Sequence, residues 1–134
     1  MKNPSICVNA EVAFHDVDSL RIVWHGHYYK YFELARTALY RSKNFDIQVM
    51  TELGLIFPVI ESQCRYFKPL HYGQKFQVTA TFKDWHHYIK IVYVIVDAET
   101  QEKCASGFTK QAACLVDGEM LLAMPEHVID VIQA

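Results

Sequence analysis

Apolar residues occupy the even positions from Ile6 to Phe14 (Ile6, Val8, Ala10, Val12, Phe14), while Asn9 and Glu11 fall between them. Alternate side chains of an extended chain point to opposite faces, so this stretch predicts a strand with one buried face. The period then changes. Tyr28, Tyr31, Phe32, Ala35, Ala38 and Leu39 recur three and four apart in a run of helix formers that reaches about Ser42, which predicts one substantial helix. Asn44 to Gly54 predicts a loop with a short helix around Ile47 to Leu53, and Pro58 opens an imperfectly alternating strand to Phe67. Pro69 and Gly73 mark a turn.

Farther along, Phe76, Val78, Ala80 and Phe82 alternate with Gln77, Thr79, Thr81 and Lys83, a second strand with one wet face. Ile89 to Val96 is apolar on both faces apart from Lys90, so it predicts a central strand covered on both sides. Asp97 to Glu102 turns the chain into a long strand from about Lys103 to Val116. Asp117-Gly118 is a hairpin signal, followed by a short strand at Met120 to Ala123 and a brief helix beginning at Pro125. A strand, one long helix and an antiparallel meander make an α+β chain. A helix of about fifteen residues, roughly 22 Å long, covers only one face of such a sheet. A partner subunit is the simplest cover for the rest.

Composition narrows the classes. The 134 residues, 51% apolar and 21% charged, fit one domain spanning 1–134. Thirteen Lys and Arg against fifteen Asp and Glu give a formal net charge of -2. That balance removes a global argument for nucleic acid as partner. The longest apolar stretch, Ile91 to Val96, is too short for membrane insertion, and the first fifteen residues lack the continuous apolar block of a secretory signal. Cys7, Cys64, Cys104 and Cys114 are widely spaced, without a Cys-x-x-Cys pair. They read as small apolar residues of a reducing cytoplasm.

Chemistry concentrates between the first strand and the helix, where Phe14 to Tyr28 holds Asp16, Asp18, His15, His25 and His27. Asp18 is a candidate nucleophile or general base. The backbone N–H groups around His25 to His27, at the helix start, are candidate oxyanion donors. A carboxylate facing helix-terminal amides is what acyl transfer needs: one group attacks the carbonyl or activates water, another takes the charge that develops on oxygen. Taken alone, Asp16 and Asp18 read more readily as turn or helix caps. His25-Gly26-His27 with the aspartates is a weaker candidate metal set, because its spacing matches no zinc signature. Glu33 and Arg36 read as a helical ion pair. Serine-hydrolase, P-loop and dinucleotide motifs do not occur.

Asp16-Val17-Asp18, Ile22-Val23-Trp24-His25, Tyr28 and Glu33-Leu34-Ala35-Arg36 together resemble the hotdog-fold acyl-CoA thioesterases of the 4-hydroxybenzoyl-CoA thioesterase group, especially its Tol-Pal-associated and long-chain acyl-CoA branches. Tyr66-Phe67-Lys68-Pro69-Leu70, Tyr72-Gly73, Ala105-x-Gly107 and Met124-Pro125-Glu126 extend the resemblance along nearly the whole chain. It implies a hotdog fold, an antiparallel sheet of about five strands wrapped around the long helix. It also implies hydrolysis of acyl-CoA or acyl-carrier-protein thioesters, without cofactor or metal, by a homo-oligomer (dimer or tetramer) whose site lies at the subunit interface. By the same resemblance Asp18 is the catalytic carboxylate, the His25 N–H polarises the thioester carbonyl, and Asp16 is structural. Trp24, Tyr28 and Phe57 are the expected pocket walls. Arg21 stands where that family has Gly, and Trp24 where it has Tyr or Phe. The competing readings are an acyl-thioester binding module using the same cleft without Asp18 chemistry, and a hotdog hydroxyacyl-thioester dehydratase.

Overall fold

The computed structural model describes residues 3–134. Strand β1 (Ser5–Glu11) is followed by a 3-10 turn at Phe14–Asp16, and a second 3-10 turn at His25–His27 runs directly into helix α1 (Tyr28–Ser42). Then come α2 (Ile47–Glu52), β2 (Leu55–Ile56), β3 (Val59–Tyr66), β4 (Lys75–Asp84), β5 (Ile89–Asp97), β6 (Lys103–Gln111), β7 (Cys114–Leu115) and α3 (Glu126–Gln133). Five strands form one antiparallel sheet in the order β1-β4-β5-β6-β3, while β2 and β7 pair separately.

Helix α1 lies against the sheet because its three- and four-residue spacing gathers Tyr28, Tyr31, Phe32, Ala35 and Leu39 on one buried face. The opposing face is made by Phe76, Val78, Ala80 and Phe82 of β4 with Ile89, Ile91, Tyr93 and Ile95 of β5, all buried. At the centre the Phe32 and Tyr93 rings stack 4.4 Å apart. Gly107 on β6 permits this approach, since a Cβ there would sit 2.7 Å from the Phe32 ring and against the Gln63 carbonyl. Val128 and Ile132 of α3 close the remaining edge of the core.

Four expectations are corrected. The first strand ends at Glu11, paired with Lys75, because the partner chain turns away at Gly73 (φ 78). Phe14 therefore leaves the sheet, 74% exposed, and sits edge-on to Tyr72. The long strand expected to Val116 breaks after Gln111: Ala112 donates its N–H to the Pro58 carbonyl, and Cys114–Leu115 goes over to β2. Met120 to Ala123 forms no strand. The Asp117-Gly118 turn is present, but Met120 makes one isolated bridge to Cys114 and Leu122 is exposed. Strand β5 is central, yet only one face is covered; Val92, Val94 and Val96 on the other are half-buried. Strand β3 is a sheet edge, with Val59, Ile60 and Tyr66 exposed.

Candidate active site

The segment from Asp16 to Trp24 folds back on itself as a short clip. Val17 bridges Val23, the Asp18 N–H donates to the Ile22 carbonyl at 2.9 Å, and the Arg21 N–H donates to the Asp18 carbonyl at 2.9 Å. Arg21 holds φ 66, the left-handed conformation that a glycine adopts freely. Arg21 thus keeps a tight turn where the resembling sequences use Gly. At its head, Asp18 Oδ1 accepts the Leu20 N–H at 2.8 Å. That single bond orients the half-buried carboxylate and, among the described residues, leaves Oδ2 without a hydrogen-bond partner.

The clip is docked against the helix start. The Trp24 N–H donates to the Asp16 carbonyl at 3.0 Å, and Val23 N–H to the Leu70 carbonyl at 2.9 Å. His25 is the first residue of the 3-10 turn, and no side chain caps that end. The first amides of a helix lack intrahelical acceptors, so the turn presents N–H dipoles outward. The His25 carbonyl is fixed from the other side by the Tyr66 hydroxyl, which donates to it at 2.7 Å.

Asp18, His25 and Tyr28 line one cavity of about 320 Å³, with Leu20, Ile22 and the run Tyr66, Phe67, Lys68 and Pro69. The Tyr28 hydroxyl accepts the Leu70 N–H at 3.2 Å. Burial pushes that hydroxyl above its ordinary pKa, against the opposing pull of the Leu70 N–H, so it stays protonated. Burial likewise raises Tyr66, whose ring packs edge-on to Tyr28 at 4.9 Å. The cavity thus combines a carboxylate, a helix start and aromatic walls, a set able to bind an acyl group and act on its carbonyl.

Two expected walls lie elsewhere. Trp24 is 47% exposed, its ring folded over Gly26 between the rings of His25 (5.0 Å) and His27 (5.3 Å), and it does not line this cavity. Phe57 lines a separate cavity of about 470 Å³ between α1, α2 and β2. In exchange, Tyr66 to Pro69 enter the site. Their signal was visible as an aromatic pair at the end of the strand that Pro58 opens, although pattern alone assigns it to no pocket. Asp16 is buried at 3% exposure and bonded to Lys30 and, at 2.7 Å, to the Tyr31 hydroxyl. Burial alone would raise its pKa, but the hydrogen bonds from Lys30 and Tyr31 outweigh it and hold the carboxyl below the usual range. Among the described residues, no three His, Cys, Asp or Glu side chains gather as a metal site.

The sequence profile of the Thioesterase-like superfamily matches residues 12–132. A protein of Aquifex aeolicus (strain VF5) named "Putative esterase" is 30% identical over 122 residues, 91% of this chain and 93% of its own. A Bacillus subtilis (strain 168) protein named "Putative acyl-CoA thioesterase YneP" is 35% identical over 83 residues, 62% of this chain and 59% of its own. Among solved structures, a 1,4-dihydroxy-2-naphthoyl-CoA thioesterase from Synechocystis has the same fold, with TM-score 0.86 over 96% of each chain at 18% identity. With the five-stranded antiparallel sheet around α1 and a profile match over almost its whole length, the chain belongs to the thioesterase-like superfamily as a hotdog-fold member, and thioester hydrolysis is the reaction class that membership carries.

Proposed function

We propose that the protein hydrolyses acyl-CoA or acyl-carrier-protein thioesters to the free acid and thiol, with Asp18 as the reacting carboxylate and the His25 N–H as oxyanion donor. The observation that carries this reading is the meeting of Asp18 and the uncapped helix start at His25 in one cavity. The thioester carbonyl oxygen lies at the helix start, where one well-placed donor is worth roughly 3 kcal/mol of transition-state stabilisation. Asp18 then acts by one of two routes. As a nucleophile it attacks the carbonyl carbon and expels the thiolate, leaving a mixed anhydride that water cleaves. As a general base it takes a proton from water, which attacks directly. Label from isotopic water appearing in the Asp18 carboxylate after one turnover marks the anhydride route.

Tyr28 belongs to this reading as a pocket wall. For Trp24 and Phe57 the same role requires a surface completed by a second copy, since neither faces the Asp18 cavity in one chain. A homo-oligomer with the site at the subunit boundary is therefore part of the proposal. What supports it is the open edge at β3, where Val59, Ile60 and Tyr66 are exposed among polar residues, and the half-covered outer face of β5. Among the described residues no helix is long and apolar enough to cross a membrane, and we place the protein in the cytoplasm on the strength of its cysteine pattern.

Replacing Asp18 with Asn tests the chemistry. Thiol release from an acyl-CoA ester should fall by about 10²-fold or more while the protein stays folded and still binds the ester. Turnover near that of the wild type would remove Asp18 from the mechanism. Ester binding by the unmodified protein without thiol release would favour the binding-module reading.

A further inference from the structure

We propose that Asp16 is a positioning residue for Asp18: its buried carboxylate fastens the clip that carries Asp18 to the first turns of α1, and so sets where the reacting carboxylate stands relative to the helix start. This rests on the reading of Asp18 given above. Asp16 is 3% exposed, and its two carboxylate oxygens are taken by different donors, Lys30 on Oδ1 and the Tyr31 hydroxyl on Oδ2 at 2.7 Å. Both donors stand on α1, directly after Tyr28 and the 3-10 turn that presents His25. The backbone of Asp16 is engaged as well: its carbonyl accepts the Trp24 N–H, and its own N–H donates to the Ala13 carbonyl, each at 3.0 Å. One residue therefore holds both arms of the clip and the helix.

Asp18 follows two residues later on the same arm, locked to Ile22 by its own N–H. Among the described residues the one hydrogen bond to its carboxylate comes from Leu20, within the clip itself. A shift of the clip along α1 moves the reacting carboxylate as a unit. Displacements of about 1 Å are enough to cost about 10²-fold in rate. A merely structural Asp16 predicts lost stability without a specific loss of turnover. A positioning Asp16 predicts a loss in kcat that exists only while Asp18 is present to be positioned.

The test is a mutant cycle on the full chain, read by thiol release from an acyl-CoA ester. Asp16→Asn keeps the size of the side chain and removes its charge; it should lower kcat by about 10- to 100-fold with KM within about twofold. Lys30→Met should move kcat in the same direction, with Lys30→Arg restoring most of it. Combined with Asp18→Asn, Asp16→Asn should cause no further loss, as expected for two residues acting through one group. An Asp16→Asn enzyme of unchanged kcat overturns the proposal, and so does a double variant slower than Asp18→Asn by the full single-variant factor. If Asp16→Asn does not fold, Tyr31→Phe removes one of the two donors and keeps the ring; unchanged kcat there is equally fatal. Failure of the underlying reading shows separately, as an Asp18→Asn enzyme that turns over like the wild type.

Discussion

Arg21 shows how a single residue carries a cost that its neighbours make worthwhile. A left-handed backbone costs a non-glycine residue roughly 1–2 kcal/mol. Glycine avoids that strain but adds roughly 0.5–1 kcal/mol of chain entropy to the unfolded state. The difference predicts that Arg21→Gly, at φ 66, raises stability by about 0.5–1 kcal/mol in chemical denaturation. An unchanged or lowered midpoint would mean that the Arg21 side chain itself contributes to the turn. At this scale the sequence was informative about identity and silent about direction. Asp16 and Asp18 are two positions apart on one short segment, yet one is buried and tied to α1 while the other faces a cavity. An extended chain would turn both to the same side; the 3-10 turn ending at Asp16 and the tight turn beginning at Asp18 break that relation. Trp24 lies outside the Asp18 cavity of one chain for a related reason: Gly26 gives its ring a shelf to lie on, and no periodicity announces a side chain that folds over its own backbone.

Among the elements, α1 was fully legible because a 3.6-residue period leaves one buried face and no alternative. The strands were legible where they pair regularly and illegible where they end. Ala112, Ala113 and Cys114 are all buried, so the apolar pattern continues through the point at which the chain exchanges β3 and β5 for β2. Hydrophobic pattern reports burial and not the identity of the partner. The α1–sheet contact carries a prediction of its own. Gly107 lets the Phe32 ring close on the sheet, so Gly107→Ala should destabilise the fold by roughly 1–3 kcal/mol through overpacking. Equilibrium unfolding measures it, and Phe32→Leu in the same background should recover part of the loss by making room. Unfolding at the wild-type midpoint would show that both the ring and the Gln63 carbonyl can give way.

For the whole molecule, the question is what one chain leaves undone. The sheet has two edge strands, β1 and β3, and at β3 Val59, Ile60 and Tyr66 are exposed beside an unpaired row of backbone groups, a combination that invites further pairing. The protein is expected to sediment as a dimer or tetramer, at a multiple of its 15.6 kDa chain mass. A monomer at micromolar concentration would contradict the shared-site reading. The excess of apolar surface was visible in the doubly apolar strand Ile89 to Val96. Which strands form the edges was not, because the order of strands in a sheet depends on pairings distant in sequence, such as Tyr66 with Ala105.

The stack of Phe32 on Tyr93 and the helix start at His25 belong to one continuous helical run. Its consequence is for how such a protein changes over time. Under the proposed mechanism, exchanges within the core that shift the helix also shift its start at His25, and are expected to carry a catalytic penalty even when packing survives. The exposed side chains of Leu20 and Phe67 at the lip bear no comparable burden, whereas Tyr66 is tied to the His25 carbonyl. Under the proposed mechanism, substrate preference is expected to drift through these lip side chains while the core and the Asp18–His25 pair stay fixed.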